Sequence, residues 1–413
     1  MRPPFLITIL LTLALFISPA IQPAYAESGL SNIKLPTGFK IEIYADAHTK
    51  GGESLSGARF MAFDTNGRLY VTSAKNNKVL LLPDANQDGV ADEVVTLADN
   101  LNAPQGLTFL GDALLVANQN GVVKLEKKTA FGANDGLPVK VTSFISHLPA
   151  GGHALKNIKL SPDGYLFINV GSSCNVCNEA DATRASILRY TVQGKPAGAL
   201  VTLGRHPQSA VWASGLRNSQ GFAWHPKTGA MYATNNGADM RSSTKGGDID
   251  DELPPEHLNK IVAGKHYGWP HCWAEPDLNV QVTGSKAQIM DPNFPAEADF
   301  CKATQAPEIT FISHSTPIGI TFLDKTNFPV DYKQDAIVAL HGSWNRKQPA
   351  GYKIVRVKFK KNEVSEVEDF ATGWLTGHYA WGRPVDVIVG ADGALYISDD
   401  KAGAIYRIRY QSK

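Results

Sequence analysis

An all-β chain folded as a six-bladed β-propeller is what this sequence predicts, and three observations carry the prediction. A short alternating strand, a turn holding Asp, Asn or Gly, and a second apolar strand recur six times along the chain. Helical periodicity is scarce, and 37 glycines and 24 prolines supply tight turns throughout the 413 residues. A lone meander cannot bury both of its faces, so six such units are expected to stack radially around an axis. A two-domain β-sandwich is the alternative, but its strands would not repeat one sequence grammar.

The copies run over Arg59–Thr72, Pro104–Ala117, Asn157–Val170, Ser219–Thr234, Ile318–Phe322 with Ala336–Leu340, and Pro384–Ser398. Most continue into a third strand, as at Lys78–Leu82, Ser186–Tyr190, Lys353–Val357 and Ala404–Ile408. The early strand Phe39–Tyr44 precedes the first copy and is expected to complete the last blade, closing the ring and hiding its edges. The long gaps after the third and fourth copies read as loops on the face that bears the site.

With 40 Lys and Arg against 39 Asp and Glu, the chain has no net field to hold nucleic acid or an anionic membrane, so small or neutral partners are expected. A content of 43% hydrophobic and 19% charged residues supports a sizeable core and excludes a disordered or fibrous chain. Residues 1–26 carry Arg2, an apolar run from Phe5 to Ile17, and the small-residue end Ala24-Tyr25-Ala26. They read as a secretory signal, since the run is shorter than the roughly 20 residues a membrane span needs. Residues 27–413 then form one propeller domain, periplasmic or secreted, with no stable membrane insertion after cleavage.

Export makes disulfides available to the four cysteines. Local bridges Cys174–Cys177 and Cys272–Cys301 are the simplest arrangement, although four cysteines allow three connectivities. The C-x-x-C at Cys174 lacks the following His of a haem attachment site, Asn178 standing there, and no thioredoxin-like βαβ pattern surrounds it.

Several segments offer chemistry. Asp84, Asn86, Asp88, Val90 and Asp92 alternate around Gly89 in a loop spaced to wrap a structural cation such as Ca²⁺, although Val95 takes the twelfth position where an EF-hand has Glu. His153 sits on the Gly-rich loop Gly151–Lys156 at the mouth of a strand, where an imidazole can act as a base. Arg217, Asn218 and Gln220 stand at the equivalent place in the fourth copy. Asn235–Ala238, followed by Asp248–Glu252, offers carbonyls and carboxylates to a second cation. His341–Arg346 and Trp381–Asp386 complete the set. On a propeller these positions converge at one end of the central channel and suit an anionic ligand that must be deprotonated or oxidised. The plainer reading is that pairs such as Arg383 and Asp386 tie blades together.

The landmarks Leu35–Ile41, Ser161–Gly164, Gly171–Cys177, Leu216–Phe222, Tyr267–Pro270, His341–Arg346 and Gly382–Asp386 give the chain a resemblance to the glucose/sorbosone dehydrogenase family, particularly its L-sorbosone dehydrogenase-like branch, over nearly all of residues 35 to 410. The resemblance implies a six-bladed propeller that binds pyrroloquinoline quinone (PQQ) and Ca²⁺ and oxidises an aldose or sorbosone-like sugar. It implies His153 as general base, Arg217 and Asn218 as quinone contacts, and the carbonyls of Gly237 and Ala238 as ligands of the cofactor's Ca²⁺. It further implies a substrate-facing Gln105, an Arg383 that grips a cofactor carboxylate, and Arg346 near a position usually filled by a cation. Asp250, Asp251 and Tyr267 resemble a structural Ca²⁺ site. Two departures stand out: Ala154 replaces a polar residue beside the His, and Ala238 replaces a Pro. Electrons would pass to an unidentified acceptor. The rival functions are a Ca²⁺-dependent lactonase or related hydrolase on the same fold and a non-catalytic binding propeller; three arginines around one channel favour the anionic quinone over a neutral lactone.

Overall fold

The computed structural model describes residues 29–127, 139–199, 210–275 and 288–411, so the expected signal segment lies outside the described residues. Among the described residues, six four-stranded antiparallel sheets follow one another along the chain. Blade 1 is Ala58–Phe63, Leu69–Ser73, Lys78–Leu82 and Val95–Ala98, and blade 2 is Leu107–Leu110, Ala113–Asn118, Gly121–Lys127 and Val139–Ile145. Blade 3 is Ile158–Leu160, Tyr165–Val170, Ser186–Thr191 and Val211–Ser214. Blade 4 is Phe222–Trp224, Met231–Asn235, Glu256–Ile261 and Ile309–Phe311. Blade 5 is Pro317–Phe322, Ala336–Leu340, Lys353–Lys360 and Glu363–Ala371. Blade 6 takes Pro384–Val389, Leu395–Asp399 and Ala404–Tyr410 from the C-terminal end and Phe39–Ala45 from the N-terminal end. Each of the six repeats supplies the two inner strands of one blade, as the sequence predicts.

Ring closure is a strand pairing between the two ends of the chain. Phe39 lies opposite Tyr410 and Ile41 opposite Ile408, so the early strand covers what would be an open edge. Phe39 also packs against Phe328 and Phe370, with ring centroids 4.8 and 5.1 Å away.

The apolar core of the described residues divides into six clusters, one in each gap between neighbouring blades. Period-2 alternation sorts the side chains. In blade 1, Leu69, Val71, Leu80 and Leu82 fill the gap towards blade 6, while Tyr70, Val79 and Leu81 fill the gap towards blade 2. In blade 5, Ile337 and Ala339 face blade 6, and Val338 and Leu340 face blade 4. A strand buried on both faces therefore reads as a continuous apolar run, which is why Ala336–Leu340 shows no polar alternation.

Around the axis the inner strands are stitched together where they begin. Thr72 Oγ1 donates to Gln105 O at 2.5 Å, the Gly106 amide to Lys156 O, Asn157 Nδ2 to Gln220 O, Thr234 Oγ1 to Ile318 O, and Ser398 Oγ to Arg59 O. Asp386 accepts the Met61 amide at 3.0 Å, so it does tie blade 6 to blade 1, but with backbone and not with Arg383. Such close approach requires glycine: a Cβ at Gly221 would lie 1.6 Å from Ile318 O, and one at Gly319 would lie 2.6 Å from Asp386 Cα. Two short hairpins, Cys272–Ala274 with Gln288–Met290 and Leu375–Thr376 with Tyr379–Ala380, are inserted between blade strands. No helix among the described residues is long and apolar enough to cross a membrane.

Candidate active site

His153 stands on the loop that leads into blade 3. Its Nδ1 lies 2.9 Å from Ser172 Oγ and 3.2 Å from Ser172 O. Ser172 Oγ already donates to Cys174 O at 2.7 Å, so its lone pairs face the ring and Nδ1 carries the proton. Nε2 is thereby left as the basic nitrogen. Burial, reinforced by the positive charge of Arg217, pushes the His153 imidazole down to about 4, which keeps it neutral at physiological pH.

Arg217 is buried, 4% exposed, at the head of blade 4. Its Nε donates to Asn175 O at 3.1 Å, and its Nη2 to Asn175 Oδ1 at 2.8 Å and Asp239 Oδ2 at 3.0 Å. Asp239 also accepts from Asn345 Nδ2 at 2.8 Å and lies 3.3 Å from His314 Nδ1. Burial works to raise the Asp239 carboxyl, but His314, Arg217 and Asn345 outweigh it and hold the group below the usual carboxylate range. Beside them Glu256 is fully buried, its Oε2 accepting the Gly237 amide, and burial pushes it up to about 7. Arg217, Asn235, Gly237 and Ala238 line a narrow cleft together with Tyr267, Trp269 and Asp291.

Across the channel a second charged group forms. Asp400 accepts from Arg59 Nη1 at 2.9 Å and lies 3.0 Å from His341 Nε2. Burial pushes His341 down to about 4 against the pull of Asp400. Arg59 Nη2 and Gln105 Nε2 both donate to Gln220 Oε1, at 3.1 and 2.8 Å. Arg383 donates through Nε to His341 O and through Nη2 to Gly342 O. Arg59, Arg383, Lys75 and Lys401 border a hollow of about 380 Å³ in which Asp400 is the acidic member, and Leu155, two residues from His153, lines its wall.

The structure therefore brings His153, Arg217, Asn218, Gly237, Ala238 and Arg383 to one end of the ring. Gln105 is there too but wholly buried, its amide engaged with Gln220. Arg346 is committed elsewhere: it pairs with Glu252 and donates through Nη1 to Asp251 O and Ser313 O, tying down the acidic loop. Asp250 and Asp251 line an outer groove with Asp248, Glu252 and Lys347, whereas the Tyr267 hydroxyl is held by Lys260 O and the Val262 amide, so these three are not brought together. In the early loop, Asp84 accepts the amides of Asp88 and Gly89, Asp88 that of Val90, and Asp92 that of Ala85. Asn86 Oδ1 accepts the Asp88 amide as well. The carboxylates of Asp84, Asp88 and Asp92 do not all lie within 4.8 Å of one another, and each accepts an amide of the loop's own turns. Both disulfides join the expected partners, Cys174 with Cys177 and Cys272 with Cys301.

Sequence reasoning passed over Asn175, Asp239, Glu256, His314, Arg59 and Asp400. Arg59 is the first residue of the first repeat, so the argument from repeat phase reaches it. The others are assembled by pairing across blades and carry no local signal.

The donor set fits a cation and a multiply charged anion. Asn236, next to Gly237, and Asn218, whose carbonyl accepts the Asn236 amide, each carry a buried Oδ1 without a hydrogen bond, and Arg59 Nε is a buried donor without one. Unpartnered oxygens beside backbone carbonyls suit Ca²⁺, and guanidiniums on both sides of the channel suit a carboxylate-rich quinone.

A model of the TrAA12-like family matches residues 38–411. An uncharacterized protein of Borreliella burgdorferi is 27% identical over 400 residues, covering 94% of this chain and 93% of that protein. A PQQ-dependent pyranose dehydrogenase of Coprinopsis cinerea is 25% identical over 281 residues, 59% of this chain and 38% of its own length. Iodide and calcium structures of a Trichoderma reesei carbohydrate-active enzyme of family AA12 superpose with TM-scores of 0.76 and 0.74 at 20% identity, covering 92% of this chain and 98% and 97% of theirs.

Proposed function

The chain belongs to the TrAA12-like family, and from that premise we propose that it is a PQQ- and Ca²⁺-dependent dehydrogenase that oxidises an aldose or sorbosone-like sugar at its anomeric or aldehyde carbon. The observation that carries this reading is a half-buried, neutral His153 whose Nδ1 is fixed by Ser172, whose Nε2 is left basic, and whose imidazole feels the charge of Arg217. The Coprinopsis relative is named for PQQ and a pyranose, and one Trichoderma structure for calcium, in agreement with the donor set.

Arg217, Arg59 and Arg383 would hold the carboxylates of PQQ, with Asn218 beside them, and the carbonyls of Gly237 and Ala238 the Ca²⁺. When bound, PQQ supplies a two-electron acceptor and Ca²⁺ a Lewis acid that polarises it. His153 Nε2 takes the proton of the anomeric hydroxyl as the C1–H bond gives up its electron pair, so that the sugar leaves as a lactone. The hydrate of an aldehyde presents the same O–H group. Ser172 keeps the ring in the required tautomer throughout, and Arg217 offers positive charge where negative charge develops on oxygen. Asp239 keeps that guanidinium in place. Two disulfides agree with function outside the cytoplasm, and export predicts a mature N-terminus at Glu27.

The test is reduction of an artificial dye by apoprotein reconstituted with PQQ and Ca²⁺, across a panel of aldoses, with His153→Ala as control. Dye reduction that vanishes in the variant supports the reading. Silence across the panel, or lactone hydrolysis without PQQ, overturns it.

A further inference from the structure

We propose that Asn175, presented by the short loop that the Cys174–Cys177 disulfide closes, is a positioning residue that fixes the Arg217 guanidinium relative to His153. Neither strand nor helix holds this loop. It is held by the covalent bridge at its two ends and by the bonds of Asn175, the first of the two residues between them.

Asn175 turns its carbonyl and both side-chain polar atoms to the site. Its carbonyl accepts from Arg217 Nε at 3.1 Å and from Trp269 Nε1 at 3.1 Å. Its side-chain Oδ1 accepts from Arg217 Nη2 at 2.8 Å and from the Asp239 amide at 2.8 Å, while Nδ2 donates to Asp239 O at 2.8 Å. The guanidinium and the backbone of its counter-ion are thus gripped by one amide. The near end of the same loop reaches the base, because Cys174 O receives the Ser172 hydroxyl that orients His153. One bridged loop sets both groups, and its chemistry is specific. Aspartate at 175 would keep the acceptors but set a like charge against Asp239; alanine would leave Arg217 Nη2 and two Asp239 backbone groups short of a partner. The side chain and the main chain of Asn175 make separable contributions: Asn175→Ala removes the first, and replacing Cys174 and Cys177 by Ser frees the second.

The inference rests on the proposed role of Arg217, so its test has one arm that needs no turnover. In apoprotein, the His153 imidazole is followed by NMR through a pH titration. Without the Asn175 amide the guanidinium is drawn back towards Asp239, its charge recedes from the imidazole, and His153 in Asn175→Ala titrates at higher pH than in the parent. An unchanged titration overturns the proposal, including when the parent protein reduces no dye. In reconstituted enzyme, Asn175→Ala lowers kcat by about tenfold or more in the parent background and by less than about twofold in an Arg217→Ala background, since positioning acts through that guanidinium. Equal losses in both backgrounds, accompanied by a lowered melting temperature, mark a merely structural residue and overturn it. The Cys174→Ser, Cys177→Ser double variant moves His153 in the same direction as Asn175→Ala; if it does not fold, Asn175→Ala alone decides.

Discussion

Arg217 Nη2 lies 3.0 Å from Asp239 Oδ2, a buried ion pair in which each charge offsets the desolvation of the other. Removing the carboxylate leaves a guanidinium in a low-dielectric pocket without its counter-charge. Asp239→Asn is therefore expected to cost about 3–5 kcal/mol of stability at neutral pH. The folded Asp239 carboxyl sits below its unfolded value, so its stabilisation is present above the ordinary carboxylate range and fades as the pH falls through the folded value. Thermal melts of parent and variant at several pH values should converge in acid.

His153 is held neutral by burial and by Arg217, with its titration pushed down to about 4. The base form then persists well below the pH at which a free imidazole protonates. The acid limb of kcat/KM is expected below the 6.5 of a free imidazole, as a rate profile in the presence of saturating cofactor will show. His153→Ala should lower kcat by about 10²–10⁴ with little change in melting temperature.

Lys156 is 1% exposed and donates to the carbonyls of Gln119, Pro149 and Ala154 at 2.6, 2.7 and 2.9 Å. It pins the loop that carries His153. Burial pushes its amine down to about 8, below the unfolded value, so its contribution to stability improves as the pH rises from about 8 towards that of a free lysine. Lys156→Met is expected to abolish that slope and to destabilise by about 2–4 kcal/mol, because three buried carbonyls lose their donor. Denaturant unfolding at pH 7 and pH 9 measures both effects.

Gly319 marks a close backbone approach of blades 5 and 6. A Cβ there would meet Asp386 Cα at 2.6 Å and Val385 O at 2.8 Å, both backbone atoms that cannot turn aside. Gly319→Ala is expected to lower stability by about 2–4 kcal/mol through forced separation of the inner strands. Calorimetry checks it, and an unchanged melting temperature would show that the ring has slack at this seam.

The blades were legible because each carries its own signal. The largely apolar runs Leu69–Ser73 and Leu395–Asp399 report strands buried on both faces, and the turn between the inner strands repeats, so blade count and the closing strand Phe39–Ala45 followed from local pattern. His153 and Arg217 were visible for the same reason, each standing at a strand entrance. Their partners were not. Asp239 meets Arg217 across 22 residues of chain, Asn175 across 42, and Asp400 meets Arg59 across 341, so no window of sequence contains both members. Arg346 illustrates the converse. It sits in a segment that resembles the family's cation position, yet Glu252, 94 residues earlier, engages it. Likewise the alternating acids from Asp84 to Asp92 have the spacing of a cation loop, but the same oxygens serve equally well as caps for turn amides, and here they do.

The claim beneath the whole account is that one quinone is gripped from two sides, by Arg217 on one wall and by Arg59 with Arg383 on the other. Calorimetric titration of PQQ into apoprotein in the presence of Ca²⁺ tests it without reference to any sugar. The account predicts one molecule bound per chain, with each of Arg59→Ala and Arg383→Ala weakening affinity by about tenfold or more, the loss of one charged hydrogen bond. Absence of binding, or binding that neither substitution weakens, would contradict it.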